Sequence, residues 1–291
     1  MNLRQDKNRE HVVLGMATAM GAFLMFTLMN MFAKMLSEQH SVIEIAFYRN
    51  LIATLVFLVA VFAFGKREIL VVQARPGLVG IRAILGTVSL VVTFAAYSMM
   101  PMADTTALLF TTSLFIPVLG VLFLKESVGR YRWFAIATGF VGVVIMSHPS
   151  GELRTLGVLV ALFAALIHAS VQITSRYLTR FESVETITFY FFLVGLILTA
   201  LPMPFIAVTP TLAELPLFIG VGLSGAAAQW LLTVAYRNAR AAVVTVFNYS
   251  SIVWATLFGW LIWNEWPLPA VIIGAVIVIA SNLLIIWRES R

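Results

Sequence analysis

Apolar stretches of about twenty residues follow one another along almost the whole chain, and short tracts between them hold most of the charge and most of the chain breakers. A stretch of that length, coiled as an α-helix, matches the hydrocarbon thickness of a bilayer. The pattern predicts ten helical spans near 12–36, 43–64, 76–99, 103–124, 130–148, 153–178, 184–206, 213–236, 241–263 and 267–287. Gly65, Arg75-Pro76, Pro101, Gly129, Pro149-Ser150-Gly151, Pro210 and Pro267 punctuate them, as residues that end helices do. No connecting tract is long enough to hold a soluble domain.

The second five spans repeat the first five. A shift of 142 residues lays Gly15 on Gly157, Asn30 on Gln172, Lys34 on Arg176, Ser41-Val42 on Ser183-Val184 and Phe47-Tyr48 on Phe189-Tyr190. After a small deletion, a shift of 139 lays Gly86 on Gly225, Tyr97 on Tyr236, Gly120 on Gly259 and Glu126 on Glu265. An odd number of spans per repeat turns the two copies upside down relative to each other. That construction serves secondary transporters, whose halves rock about a site near the midplane. The expected organisation is an N-terminal arm at 1–11, a first five-helix repeat at 12–148, a linker at 149–152, a second repeat at 153–287 and a tail at 288–291.

Composition and charge sharpen this all-α, integral-membrane reading. The 291 residues are 61% hydrophobic and only 11% charged, against about 25% charged in soluble domains. There is no cysteine, which excludes disulfides, thiolate catalysis and thiolate metal sites. The net charge of +6 could hint at nucleic acid, but its placement explains it otherwise. Of the 19 Lys and Arg, 15 fall on one side of the predicted map and only Arg154 on the other. The positive-inside rule then puts both termini in the cytoplasm. The first span is too long for a signal peptide and reads as a retained helix.

The residues from Pro117 to Glu126 form an apolar helix end closed by Glu, and Gly139-Phe140-Val141-Gly142 follows. The second copy runs from Gly259 to Glu265 and on to Gly274. This pattern resembles the EamA repeat of the drug/metabolite transporter superfamily, over nearly the whole chain. Phe47-Tyr48-Arg49 also matches a common Arg position of that family. Length and pattern are most similar to the bacterial aromatic amino acid exporters of the YddG type. The resemblance implies that spans 1, 3, 4, 6, 8 and 9 enclose a cavity and that 2, 5, 7 and 10 brace it. It also implies a structural role for Glu126 and Glu265.

Polar groups inside a membrane are costly, so each is a candidate site residue. His168 lies near the middle of the sixth span with Gln172 one turn later, on one face. Phe26 and Asn30 stand at the repeat-related positions of the first span. Gln229 and Trp230 on span 8, Asn248, Tyr249 and Trp254 on span 9, Thr111 on span 4 and Tyr97 at the end of span 3 complete the expected substrate-binding set. Amides and hydroxyls bind zwitterionic or neutral solutes, while aromatic faces stack on rings or attract an ammonium. The plainer reading is that such groups join helices and fill space. Lys34, Arg49, Arg82 and Arg176 are candidate gate or interface charges, with interface anchoring the expected outcome. Lys34 and Arg49 near the outer face pair with the nearby Glu38 or Glu44 or snorkel, Arg82 does the same near the inner end, and Arg176 is the inner-end counterpart of Lys34.

Two rival classes follow from other features. Gly222-Leu223-Ser224-Gly225 resembles the GxSG of rhomboid proteases, with His168 as a base, and a passive pore, or a carrier for another metabolite or drug, is the other alternative. The expectation drawn from the whole is a non-enzymatic, monomeric secondary transporter of the bacterial inner membrane, exporting aromatic or bulky neutral amino acids by alternating access. Its partners are a small-molecule substrate and lipid, with no cofactor, metal or nucleic acid.

Overall fold

A computed structural model describes residues 2–124, 130–146, 152–239 and 241–289. Glu126 and most of the predicted linker lie outside them. The helices are α1 (Asn2–Leu36), α2 (Val42–Ala63), α3 (Pro76–Met99), α4 (Met102–Leu109), α5 (Thr112–Leu124), α6 (Arg130–Met146), α7 (Glu152–Leu178), α8 (Val184–Ala200), the turn α9 (Met203–Ile206), α10 (Leu215–Asn238), α11 (Ala241–Asn248), α12 (Ser250–Trp263) and α13 (Pro269–Glu289). Among the described residues, seven apolar stretches are long enough to cross a membrane, and three shorter apolar helices accompany them. Each falls on one of the predicted apolar segments.

The repeat is visible in local geometry. Ser41 accepts the backbone N–H of Glu44 and starts α2 at φ −67°, ψ 146°. Its counterpart Ser183 accepts the N–H of Thr186 and starts α8 at φ −68°, ψ 149°. Both are extended N-caps that satisfy an orphan donor of the first turn. Packing follows the same symmetry. The pairs α1 with α10, and α3 with α7, run antiparallel along their lengths, and α2 crosses α8 as α6 crosses α13. The last crossing is close because Gly142 and Gly274 face each other: a Cβ on Gly142 would sit 2.8 Å from the Gly274 carbonyl oxygen.

Three predicted spans are not continuous helices. The seventh ends at Ala200, and the turn α9 follows after Leu201-Pro202. The fourth breaks between α4 and α5 at Phe110–Thr111, and the ninth between α11 and α12 at Tyr249. At both breaks the backbone tightens to i→i−3 bonding, with Thr111 N–H to the Leu108 oxygen at 3.0 Å and Tyr249 N–H to the Val246 oxygen at 3.2 Å. Hydroxyls bind nearby backbone oxygens: Ser113 donates to Phe110, Ser250 to Phe247 and Ser251 to Asn248. Pro117, inside α5, removes a further backbone donor. Hydropathy is continuous through both breaks, which is why it does not reveal them.

We call the side where α1 begins the near side and the side where it ends the far side. The far side is tied across the repeats at two places. Lys34 forms an ion pair with Glu265 at 2.7 Å and donates to the Met100 oxygen at 3.0 Å, while Glu265 accepts the Met102 N–H. Glu265 accepts at the start of a neighbouring helix, a structural role. His40 lies between Glu44 and Glu214, 3.2 Å from each, and Glu44 accepts the Val208 N–H. On the near side, Glu182, the repeat counterpart of His40, accepts the N–H groups of Gln73, Ala74 and Arg75. Burial would raise its carboxyl; the three donors outweigh that and hold it below its ordinary value.

Candidate functional site

One helix shows where the interior opens. On α7 the outward stripe is Leu156, Leu159 and Phe163, all more than half exposed. The opposite face carries Ala161, Ala165, His168, Gln172 and Arg176 at spacings of three and four residues. Ala161 and Ala165 are fully buried, whereas His168, Gln172 and Arg176 are exposed. The inward face of α7 is therefore sealed in its far half and accessible in its near half. His168 stands at the transition, within electrostatic range of Arg82 on α3.

The far end of the interior is dense. Every residue of α4 from Met102 to Leu108 is buried. The Tyr97 hydroxyl shares a 2.9 Å hydrogen bond with Thr106, and Asn30 is close enough to join it. At the helix breaks the rings of Phe110 and Tyr249 meet edge to face, with centroids 5.1 Å apart. Asn30 Oδ1, Thr111 Oγ1 and Trp254 Nε1 are buried without a hydrogen-bond partner among the described residues. Buried polar atoms are nearly always partnered, so these are donors and acceptors left open to a solute or water.

Gln229 is half-buried one turn beyond Gly225, on the inward side of α10. Phe26 and Asn248 are also half-buried, Phe26 against the cluster around Met29, Phe94 and Phe192. Trp230 does not join this set. It is 67% exposed and continues the outer stripe of Ile219 and Leu223 along α10. It directly follows Gln229, and a step of 100° on a helix puts them on different faces.

The charged residues depart most from expectation. Arg49 neither snorkels nor pairs with Glu44 or Glu38. It is 1% exposed, donates to Asn50 Oδ1 at 2.9 Å and lies over the rings of Phe191 and Phe192 at 5.0 and 4.8 Å. About 10 Å of helix separates it from the start of α2, by the 1.5 Å rise per residue, and α10 closes over it at Gly225. Arg82 does not reach the interface either. Its Nε donates to Ser175 on α7 at 3.0 Å, and its guanidinium lies 5.1 Å from the Phe191 ring. Lys34 pairs with Glu265 and lies over Trp263, rather than pairing with Glu38 or Glu44. Arg176 stands on the exposed end of the inward face of α7.

Phe191 is the central residue that sequence reasoning missed. A signal existed: the 142-residue shift that aligns Phe47-Tyr48 with Phe189-Tyr190 also aligns Arg49 with Phe191. The two counterparts touch each other, so they sit at the pseudo-twofold axis. Gly86 leaves room for Phe191, as its counterpart Gly225 leaves room for Arg49.

The hydrolase reading has no geometric support. Ser224 is buried and donates to the Gly220 and Val221 oxygens of its own helix. Gly222 beside it receives Ile52. The glycine pattern is close helix packing.

The EamA-like transporter family profile matches residues 13–148 and 155–287. The chain is 29% identical to an S-adenosylmethionine uptake transporter of Rickettsia bellii over 248 residues, covering 85% of this chain and 84% of that protein. It is 28% identical to the pseudopaline exporter CntI of Pseudomonas aeruginosa over 272 residues, 92% of this chain and 94% of the other. A riboflavin transporter of Rhizobium johnstonii is 32% identical over 211 residues, 72% of this chain and 70% of that one. A crystal structure at 18% identity aligns with 97% of the chain and 99% of its own length at a TM-score of 0.65, which shows a shared fold.

Proposed function

This chain belongs to the EamA-like transporter family, and we propose that it is an alternating-access carrier for amino-acid-like metabolites, most suited to aromatic or bulky neutral ones. It is a multi-pass protein of the bacterial inner membrane, and its relatives are small-molecule transporters. In this reading ten spans cross the bilayer and the near side is the cytoplasm, because the positive charges gather there. The observation that carries the proposal is the change along the inward face of α7, buried at Ala161 and Ala165 and accessible from His168 to Arg176. A passive pore needs a path open at both ends. A carrier shows one closed end and one open end in each state.

Relatives named for uptake and for export share the architecture, so the fold serves either direction of net flux. They are also named for different solutes, and the choice of substrate class rests on the lining. Amide, imidazole and hydroxyl groups from Asn30, Tyr97, Thr111, His168, Gln172 and Gln229 suit a polar solute, and Phe110, Tyr249 and Trp254 offer ring faces. In proteoliposomes, counterflow of labelled phenylalanine should appear against internal phenylalanine or tryptophan. His168→Ala and Gln229→Ala should keep normal expression and lose roughly two- to ten-fold in apparent affinity, the effect of one hydrogen bond. Counterflow with none of a panel of amino acids would refute the substrate class. Flux without counterflow would favour the pore.

A further inference from the structure

We propose that Arg49 and Arg82, set on Phe191 at the pseudo-twofold axis, form the anion-binding part of the substrate site and take a carboxylate group. The assignment rests on the carrier reading above and adds the charge of the solute to it.

The first observation is an imbalance of charge in the interior. Both guanidinium groups lie within 5.1 Å of one ring, Arg49 at 5.0 Å and Arg82 at 5.1 Å. They are close enough to repel each other. None of the ion pairs among the described residues involves either one. Glu44, the acidic residue on the same helix as Arg49, is engaged with His40 and the Val208 N–H. Two cations at this depth, without a fixed counter-charge, call for a mobile one.

The second observation is unused donor capacity. A guanidinium has five N–H donors in a planar fork. Arg49 makes one hydrogen bond to Asn50, and Arg82 one to Ser175. Arg49 Nε and Arg82 Nη1 are buried with no partner among the described residues. The ring holds each guanidinium by a cation–π contact without consuming N–H groups. A second contact with Phe192 at 4.8 Å fixes Arg49 further.

The third observation is access. Arg49 is sealed, but Arg82 is only partly buried and lies next to His168, where the inward face of α7 becomes accessible. An anion entering from the near side meets Arg82 first and reaches the field of Arg49 behind Phe191. The repeat symmetry explains the position. A residue pair on the axis is equally related to both halves, so a solute held there is handed over as the halves rock. One repeat supplies the cation and the other the ring at equivalent positions.

A planar carboxylate matches the guanidinium fork in two parallel hydrogen bonds. An amino acid presenting its carboxylate here leaves its side chain and ammonium to the aromatic and amide lining. Free phosphate shares the anionic chemistry, and the test separates the two.

The test is thermal unfolding of the full-length protein in detergent, with phenylacetate, phenylethylamine and sodium phosphate as probes at equal ionic strength. Phenylacetate should raise the midpoint in a saturable way, and phenylethylamine should not. In Arg82→Gln the apparent affinity for phenylacetate should fall about ten- to one-hundred-fold, the loss of a charge-assisted bond. Arg82→Lys should retain part of the effect. Arg49→Lys should also weaken binding, and its own midpoint without ligand reports whether it folds. No stabilisation by phenylacetate, or equal stabilisation in Arg82→Gln, would overturn the site. Preference for phosphate over phenylacetate would overturn the carboxylate assignment. Because the readout is binding, it separates from the counterflow experiment. Phenylacetate binding with no amino acid counterflow retains the site and removes the amino acid reading.

Discussion

The two ends of this molecule are built from equivalent parts and held in different states. At the far end Lys34, Glu265, Met100 and Met102 join α1, the start of α4 and the end of the second repeat's broken helix. The near-end counterpart of Lys34 is Arg176, which stands on an accessible helix face below His168 and Gln172. The tethers nearer the periphery are present at both ends: His40 reaches Glu214 at one, and its counterpart Glu182 reaches Gln73–Arg75 at the other. The difference teaches where the two ends diverge. Peripheral tethers hold the helix pairs at both ends, while the inward face of α7 is sealed in its far half and accessible in its near half. Inverted repeats make such a pairing natural, because the mirror state exchanges the roles of the two ends.

The largest expected effect comes from breaking the latch on one side only. Glu265→Ala leaves a largely buried Lys34 without its counter-ion, and removal of one partner of a buried pair costs about 3–5 kcal/mol. The double variant Lys34→Met, Glu265→Gln should recover much of that loss. Thermal unfolding of the single and double variants decides this, and equal destabilisation in both would show that the pair is not coupled.

A smaller effect is expected at the near-end tether. Glu182→Gln weakens three backbone hydrogen bonds to a carboxylate and should cost about 1–3 kcal/mol. The carboxyl is held below its ordinary value, so its contribution is full above the usual carboxylate range near pH 4 and is lost as pH falls through the lowered value. Unfolding midpoints of wild type and Glu182→Gln should therefore differ at pH 7 and converge in acid. A difference that grows in acid would contradict the sign.

The smallest effects concern selectivity. Tyr249→Leu and Trp254→Leu remove a ring face and should weaken aromatic substrates about two- to ten-fold relative to threonine. Trp230→Leu should leave that ratio unchanged, because Trp230 is on the outer stripe. Competition counterflow measures the ratio, and a selectivity loss confined to Trp230→Leu would reverse the placement.

Much of this architecture was legible in the sequence. Twenty-residue hydropathy located the apolar segments of the described residues, and the 142-residue shift aligned Ser41 with Ser183, which both start a helix as N-caps. What periodicity could not show was orientation around each helix. Gln229 and Trp230 are neighbours in sequence, yet one faces inward and the other outward, because tertiary packing chooses the face. The broken helices escaped because Phe110–Thr111 and Tyr249 interrupt hydrogen bonding without interrupting apolarity. Arg49 was misplaced for a third reason. Distance from a helix end suggests snorkelling, but the Phe191–Phe192 rings of another helix capture the side chain first.

The central claim is that the far end is closed and the near end open around His168. The chain has no cysteine, so single cysteines report without background. Gln172→Cys and Ala165→Cys lie on the same face of α7, one in the accessible half and one in the sealed half. An impermeant maleimide should label Gln172→Cys in inside-out vesicles and leave it unlabelled in right-side-out vesicles, with Ala165→Cys slow in both. Labelling of Gln172→Cys from the periplasmic side at an equal rate, or no labelling from either side, would contradict the account.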